Sequence, residues 1–439
     1  MEISASRTSD LPILAHRGGR EGLLVRVIVP TAALYNGFLA IINAHVMPLG
    51  FAHVALAEIV LLFISLFYLL FRGVTQQALS VVSMIGFFAV VAAYTSAANG
   101  FPFVDFFRNM LIIAVFCQLG RMTDERTIKF VFRAVCVVVL AVLLLEIFLT
   151  RIYEDLFYPA LYFSRTRGLE QISFGGSKIF QNAVKIPGRF SFGLSDHRTA
   201  SVFLEQVSLA NFSGVLDIYL VSRFKRLKTF DILLVASTII LILLTNDSRS
   251  MIAFSLICLV GYFVFPRLGG FSRSMIMPVI LCAGTLVYFL RPDASGDTLD
   301  GRVALTMHGF YNLDFIGLLA LNVRNIGAFA DSGYIYVINA STVFGLIAFW
   351  AFVTFYPATV TKDQKRFAAA LSIFIFMNMM IGGNAIFSIK IGALMWLLAG
   401  YMKSSAGETK LTLASEHEGG RADGGLYRAD GAKFRDEYG

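Results

Sequence analysis

Six side chains stand where they could handle a charged, proton-exchanging substrate: Arg189, Arg249, Arg302, His197, His308 and Asp331. A guanidinium offers a rigid pair of donors that matches two phosphate oxygens and keeps its charge across the physiological range. Several such groups facing one space could hold a pyrophosphate while a bond to it breaks. A histidine titrates near neutrality, so His197 or His308 could relay a proton or donate to phosphate. Asp331 could orient or deprotonate an acceptor hydroxyl. Each residue also has a plainer role. The arginines could anchor in phospholipid head groups, His197 could hydrogen-bond a helix start beside Asp196, and Asp331 could cap the helix that follows it.

These residues sit in short polar motifs: Gly188-Arg189 within the stretch Pro187 to Arg198, Asp247-Ser248-Arg249-Ser250, and Asp300-Gly301-Arg302, with Arg198 and Arg291 nearby. Asp293, Asp297 and Asp300 lack the spacing of a cation-binding loop, and no glycine-rich nucleotide fingerprint is present, so neither metal nor cofactor is expected. Cys117, Cys136, Cys258 and Cys282 lie in apolar segments without paired spacing and read as small buried hydrophobes. Glu205, Asn211 and Lys390 interrupt apolar runs; a salt bridge between Glu205 and Lys390, or contact with an anionic ligand, would account for them.

The elements that must position these groups are membrane helices. The chain is 57% hydrophobic and 15% charged, its mean hydropathy is +0.71, and apolar runs of about 17–25 residues recur almost to its end. The reading is all-α, with about twelve spans: Val25–Asn43, Val54–Leu70, Leu79–Thr95, Val104–Leu119, Ala134–Leu149, Thr199–Val221, Ile232–Leu244, Met251–Phe265, Met275–Leu290, Tyr334–Phe355, Ala368–Met380 and Ala385–Tyr401. Asp105 and Arg108 would pair at an interface or line a cavity, and Glu146 would face an interface.

The formal charge of +8 does not indicate nucleic acid here, because the basic residues flank helices. Connections after Arg72, Arg121, Arg223, Arg267 and Lys362 fall on alternate turns, which places them and both termini on the cytoplasmic side. Two larger loops, residues 150–198 and 291–332, then face outward. In the first, the aromatic pieces around Phe157 to Phe163 suggest an amphipathic surface segment; in the second, Phe310–Gly327 suggests a surface or re-entrant helix. Residues 1–24 read as a cytoplasmic extension, 25–402 as one integral-membrane domain, and 403–439 as a mobile charged tail.

From Val25 to Tyr401 the chain resembles the O-antigen ligase and polysaccharide polymerase superfamily. The resemblance is carried by Gly188-Arg189-Phe190 with Gly193-Leu194 and His197, by Ser248-Arg249, and by Gly301-Arg302 followed by Asp331-Ser332-Gly333-Tyr334. It implies a bacterial inner-membrane protein with large periplasmic loops, whose outer arginines, here Arg189, Arg249 and Arg302, engage undecaprenyl pyrophosphate. Ligases of this kind have a catalytic histidine before a late helix, where this chain has Asp331-Ser332-Gly333-Tyr334. That departure leans toward a repeat-unit polymerase, acting on a lipid-linked oligosaccharide donor and acceptor beside a flippase, a chain-length regulator and export machinery. A ligase, or a polysaccharide or lipid transporter, is the alternative.

Overall fold

The computed structural model describes residues 21–72, 78–169, 177–185, 191–296, 298–329 and 331–405. Among them there is no strand. The chain runs through α1 (Glu21–His45), α2 (Phe51–Arg72), α3 (Leu79–Asn99), α4 (Asp105–Arg121) and α5 (Glu125–Phe148). A first long connection holds α6 (Thr150–Phe157) and α7 (Pro159–Arg167) before α8 (Gln206–Arg223), α9 (Thr229–Asn246), α10 (Arg249–Val264), the short α11 (Gly270–Ser274) and α12 (Ile276–Leu290). The second holds α13 (Leu299–Tyr311) and α14 (Phe315–Leu318), and α15 (Gly333–Phe355), α16 (Lys362–Ile381) and α17 (389–405) follow.

Seven of these helices are long and apolar enough to cross a membrane: α1, α2, α3, α5, α9, α10 with its extension to Arg267, and α15. A helix satisfies its own backbone hydrogen bonds, so runs of this kind can sit in hydrocarbon. The chain is a membrane protein built as a helical bundle.

Burial separates the helices by role. On α2, Leu56, Ile59, Phe63, Phe67 and Leu70 are exposed, as expected of a face turned to lipid. On α17, Ile391 and the whole stretch Ala393–Ala399 are buried, so this helix runs through the middle and is apolar on every side. Its approach to α4 is closer than any side chain allows. A Cβ placed on Gly120 would lie 1.9 Å from the Leu397 carbonyl oxygen, and one on Gly400 would lie 1.9 Å from that of Cys117. This reciprocal small-residue crossing lets two backbones touch.

The two ends of the bundle differ in chemistry. At one, the connections after α4, α8 and α15 meet: Arg223 pairs with Glu125 at 3.0 Å and Arg226 lies 3.7 Å from Asp363. The other carries both long connections. Asn99, closing α3, donates to the Ala320 carbonyl at 2.9 Å, and Arg165 reaches Asn43 near the end of α1 at 3.3 Å.

Several expectations change at this second end. The expected span over Thr199–Val221 starts late: a 3-10 turn, Ser201–Phe203, and left-handed residues at Ser201 (φ 49°) and Leu204 (φ 62°) precede α8 at Gln206. Non-glycine residues pay about 1–2 kcal/mol for that conformation, and here tertiary hydrogen bonds hold it. The aromatic segment of the first connection is no surface strip, because Tyr153, Phe157, Tyr162 and Phe163 pack with Ala40, Phe180 and Leu204 into a second apolar cluster. In the second connection the main helix is α13, before most of Phe310–Gly327, and it packs along the end of α12 through Thr285–Met307 and Tyr288–His308. Cys282 is exposed, unlike the other three cysteines. The extension (residues 1–20) and the tail beyond residue 405 lie outside the described residues.

Candidate functional site

Arg189 lies outside the described residues, but the segment that follows it is stitched to the turn between α9 and α10. The Arg198 amide donates to the Ala183 carbonyl at 2.8 Å and its Nε to the Asn246 carbonyl at 3.0 Å. Asn246 Nδ2 donates in return to the Thr199 and Gln206 carbonyls at 2.6 and 2.9 Å. Asp247, left-handed at φ 56°, accepts from the Phe192 amide at 3.0 Å and lies 3.3 Å from Lys185 Nζ. Arg249 is the first residue of α10, directly after this turn, and is half-buried. The structure thereby brings two of the sequence motifs, Ser195 to Arg198 and Asp247 to Arg249, into one neighbourhood.

His197 is not a helix cap. Its Nε2 lies 3.1 Å from Glu146 Oε1, and both groups are buried. Glu146, expected to face an interface, instead accepts from the Ala200 amide at 3.0 Å and from the Ser201 amide at 2.6 Å. A buried carboxylate with this many donors is a structural hub that sets the strained entry to α8.

Arg302, on α13, pairs with Asp331 at 3.1 Å. Asp331 does not cap α15; the Ser332 hydroxyl does, accepting from the Ile335 amide at 3.4 Å. Asp331 is left 70% exposed and Arg302 31% exposed, so the pair faces an open surface. His308 packs edge-on against Tyr288, with its Nδ1 3.3 Å from the phenol oxygen. At the start of α13, Thr298 and Arg291 hydrogen-bond Asp300 and hold its carboxyl down to about 2.

A second constellation lies deeper and joins the expected Glu205–Lys390 and Asp105–Arg108 pairs to Arg167, Glu58 and Tyr35. Glu205, in the break before α8, accepts from Arg167 at 3.0 and 3.3 Å, from Lys390 at 3.2 Å and from Ser208 at 2.9 Å. The expected Glu205–Lys390 bridge is present, but Arg167 from α7 completes it. Burial works against the charge on Arg167, while Glu205 outweighs it and raises its pKa.

Beside this triad the Tyr35 hydroxyl donates to Glu58, which lies 3.7 Å from Arg108. Arg108 also pairs with Asp105 at 3.3 Å, and Asp105 accepts from Tyr336. The Asp105–Arg108 pair was expected; Glu58 was overlooked, although a lone carboxylate in the apolar run of α2 was a readable signal.

Tyr35 and Glu58 are ten and seven residues from their helix ends, about 10–15 Å into the bundle at 1.5 Å per residue. Even so, the Arg167 side chain is 42% exposed and that of Arg108 45% exposed. Charges set among apolar helices would be costly against hydrocarbon, and here each is compensated by a partner of opposite sign, so together they form a polar cluster within the bundle. The cluster holds three cations and three carboxylates; Arg167 grips Glu205 with both arms of its fork, and the contacts of Lys390 with Glu205 and of Arg108 with Glu58 and Asp105 are single.

Among the described residues no cluster of histidine, cysteine and carboxylate groups could hold a metal ion. No protein-family model, curated protein or solved structure matches this chain.

Proposed function

We propose that this chain is a bacterial inner-membrane polymerase that extends oligosaccharides carried on undecaprenyl pyrophosphate. In this reading twelve spans leave both termini in the cytoplasm, and the end with the two long connections faces the periplasm. The acceptor hydroxyl oxygen attacks the anomeric carbon of the donor glycan. The bond from that carbon to the diphosphate oxygen breaks, its electron pair stays on the lipid diphosphate, and the hydroxyl proton passes to a base. Arginine forks at the site balance the charge that develops on the leaving group.

The observation that carries this reading is the charged cluster, with Arg167, Glu205, Lys390, Glu58 and Arg108 set within an apolar bundle near the end that bears Arg249 and Arg302. An amphiphile with a diphosphate head and a hydrocarbon tail fits such a place, because one protein surface can satisfy both parts. Arg302 and Asp331, paired at an open face, are suited to position the donor phosphate and the acceptor hydroxyl; Asp331 is the candidate base.

The test is to reconstitute the purified protein with synthetic undecaprenyl-pyrophosphate repeats and follow the size of the lipid-linked glycan. Lengthened product is expected. A specific observation favours a second reading, transport: α15 is interrupted at Thr342 (φ 73°, ψ 167°), and extended backbone at Glu205 precedes α8, as in the discontinuous helices of carriers. Relocation of the lipid-linked repeat without elongation would establish transport and overturn the polymerase. A shift of product only when a lipid A core is supplied would establish the ligase.

A further inference from the structure

Two helix starts meet at the Glu205 triad, and neither is capped in the ordinary way. The first helix, α8, begins at Gln206 without a side-chain cap, and its preceding residue is Glu205 itself. The second, α17, follows Ser388, whose hydroxyl makes no hydrogen bond although it is shielded from solvent. Lys390 lies in the first turn of that helix, where the positive end of the helix dipole opposes a cation. A buried lysine at such a place calls for a nearby anion, and Glu205 supplies it at 3.2 Å.

Four hydrogen bonds, two from Arg167 and one each from Lys390 and Ser208, already converge on Glu205. Gln206 is 1% exposed, and neither its amide nitrogen nor its amide oxygen has a hydrogen-bond partner. Arg167 presents its fork to Glu205 from α7, and its side chain is partly exposed. Glu58, facing Lys390 from α2, is itself engaged by Tyr35 and Arg108. Arg167, Lys390 and Ser208 thus converge on Glu205 where the starts of α8 and α17 come together, and Gln206 and Ser388 beside those starts carry buried polar atoms without a hydrogen-bond partner. Helix starts joined by arginine and lysine are a recurrent way of holding phosphate oxygens.

We propose that the junction of α8 and α17 is an oxyanion site for a phosphate or diphosphate head group, and that Glu205 is an internal anion displaced when the head group enters. The break before α8 permits the exchange: Glu205 has extended backbone (φ −131°, ψ 125°), outside the helix it precedes, so its carboxylate can leave without unwinding α8. This rests on the lipid-linked diphosphate reading only for the source of the head group.

The experiment measures binding of inorganic pyrophosphate and of farnesyl diphosphate to the full chain in nanodiscs, for the parent, Lys390→Met, Arg167→Gln and Glu205→Gln. Both cation variants are expected to weaken farnesyl diphosphate binding about tenfold or more, as loss of a charge-assisted contact requires. Glu205→Gln is expected to tighten it about fivefold or more, since the variant no longer competes for Arg167 and Lys390. A gain in affinity cannot come from misfolding, so this variant guards against damage by the other two. Unchanged affinity in Glu205→Gln together with unchanged affinity in Lys390→Met would overturn the site. Equal binding of both ligands would keep the oxyanion site and remove the lipid as its source. Tight binding with no glycan elongation would keep the site and dismiss the polymerase.

Discussion

His197 Nε2 sits 3.1 Å from Glu146 Oε1, across 51 positions of sequence, and the same carboxylate collects the Ala200 and Ser201 amides. The contact assigns His197 to holding the entry of α8 in place. Its effect on the chemistry is then indirect, through Glu205 a few residues on.

Glu146→Ala should lower the unfolding free energy by about 2–4 kcal/mol, because it strands an imidazole and two buried amides. His197→Gln should cost less, about 1 kcal/mol, since the amides keep their acceptor. Unfolding in mixed micelles followed by tryptophan fluorescence measures both. Equal stabilities of parent and Glu146→Ala would remove the hub.

Arg302→Lys separates geometry from charge. The pair with Asp331 is exposed, so stability should shift by less than about 1 kcal/mol. If Arg302 holds a phosphate by its fork, glycan elongation should fall about tenfold or more, because an ammonium cannot make the bidentate contact. Parent-like elongation in Arg302→Lys and in Asp331→Asn would exclude both from the reaction.

The bond between Lys390 and Glu205 can be weighed by a double-mutant cycle. Lys390→Met alone should destabilise by about 3 kcal/mol, as it leaves a buried carboxylate short of a partner. Adding Glu205→Gln should return part of that loss, giving a coupling energy of about 1 kcal/mol or more. Strictly additive effects would mean that the two groups do not meet in the membrane.

Gly120→Ala and Gly400→Ala should each be severe. The added Cβ would stand 1.9 Å from a backbone carbonyl oxygen of the facing helix, and backbone cannot rotate out of the way. A loss of about 3 kcal/mol or more, or failure to accumulate, is expected. Gly100→Ala, open on all sides but left-handed at φ 72°, should cost only about 1 kcal/mol. Similar stabilities for all three would argue against the α4–α17 crossing.

Asp300 gives a pH signature. Its folded pKa of about 2 is below the unfolded carboxylate value of about 3.9, so its contribution is complete above the unfolded value and disappears as pH falls through the folded one. The first turn of α13 should therefore loosen between about pH 4 and pH 2, seen as faster amide exchange after correction for intrinsic rates. Asp300→Asn should abolish that dependence; if it persists unchanged, another group is responsible.

Apolar runs alone were enough to read a helical membrane chain, because a segment that closes its own hydrogen bonds needs no distant partner to be stable in hydrocarbon. The same locality made the Asp105–Arg108 pair legible, three residues apart on one helix face. The bridge between Glu205 and Lys390 could be suspected from cost, since an intramembrane charge demands compensation. Arg167 could not be chosen from the many loop arginines, for its position depends on how α7 packs against α1. Nor could the late start of α8 be read from a pattern that Glu205 and Gln206 interrupt without fixing where the helix begins. It follows from Glu146 and Asn246 drawing nearby backbone into hydrogen bonds that compete with the helix. Contacts across 185 positions are properties of packing, and packing set which charges share the cluster.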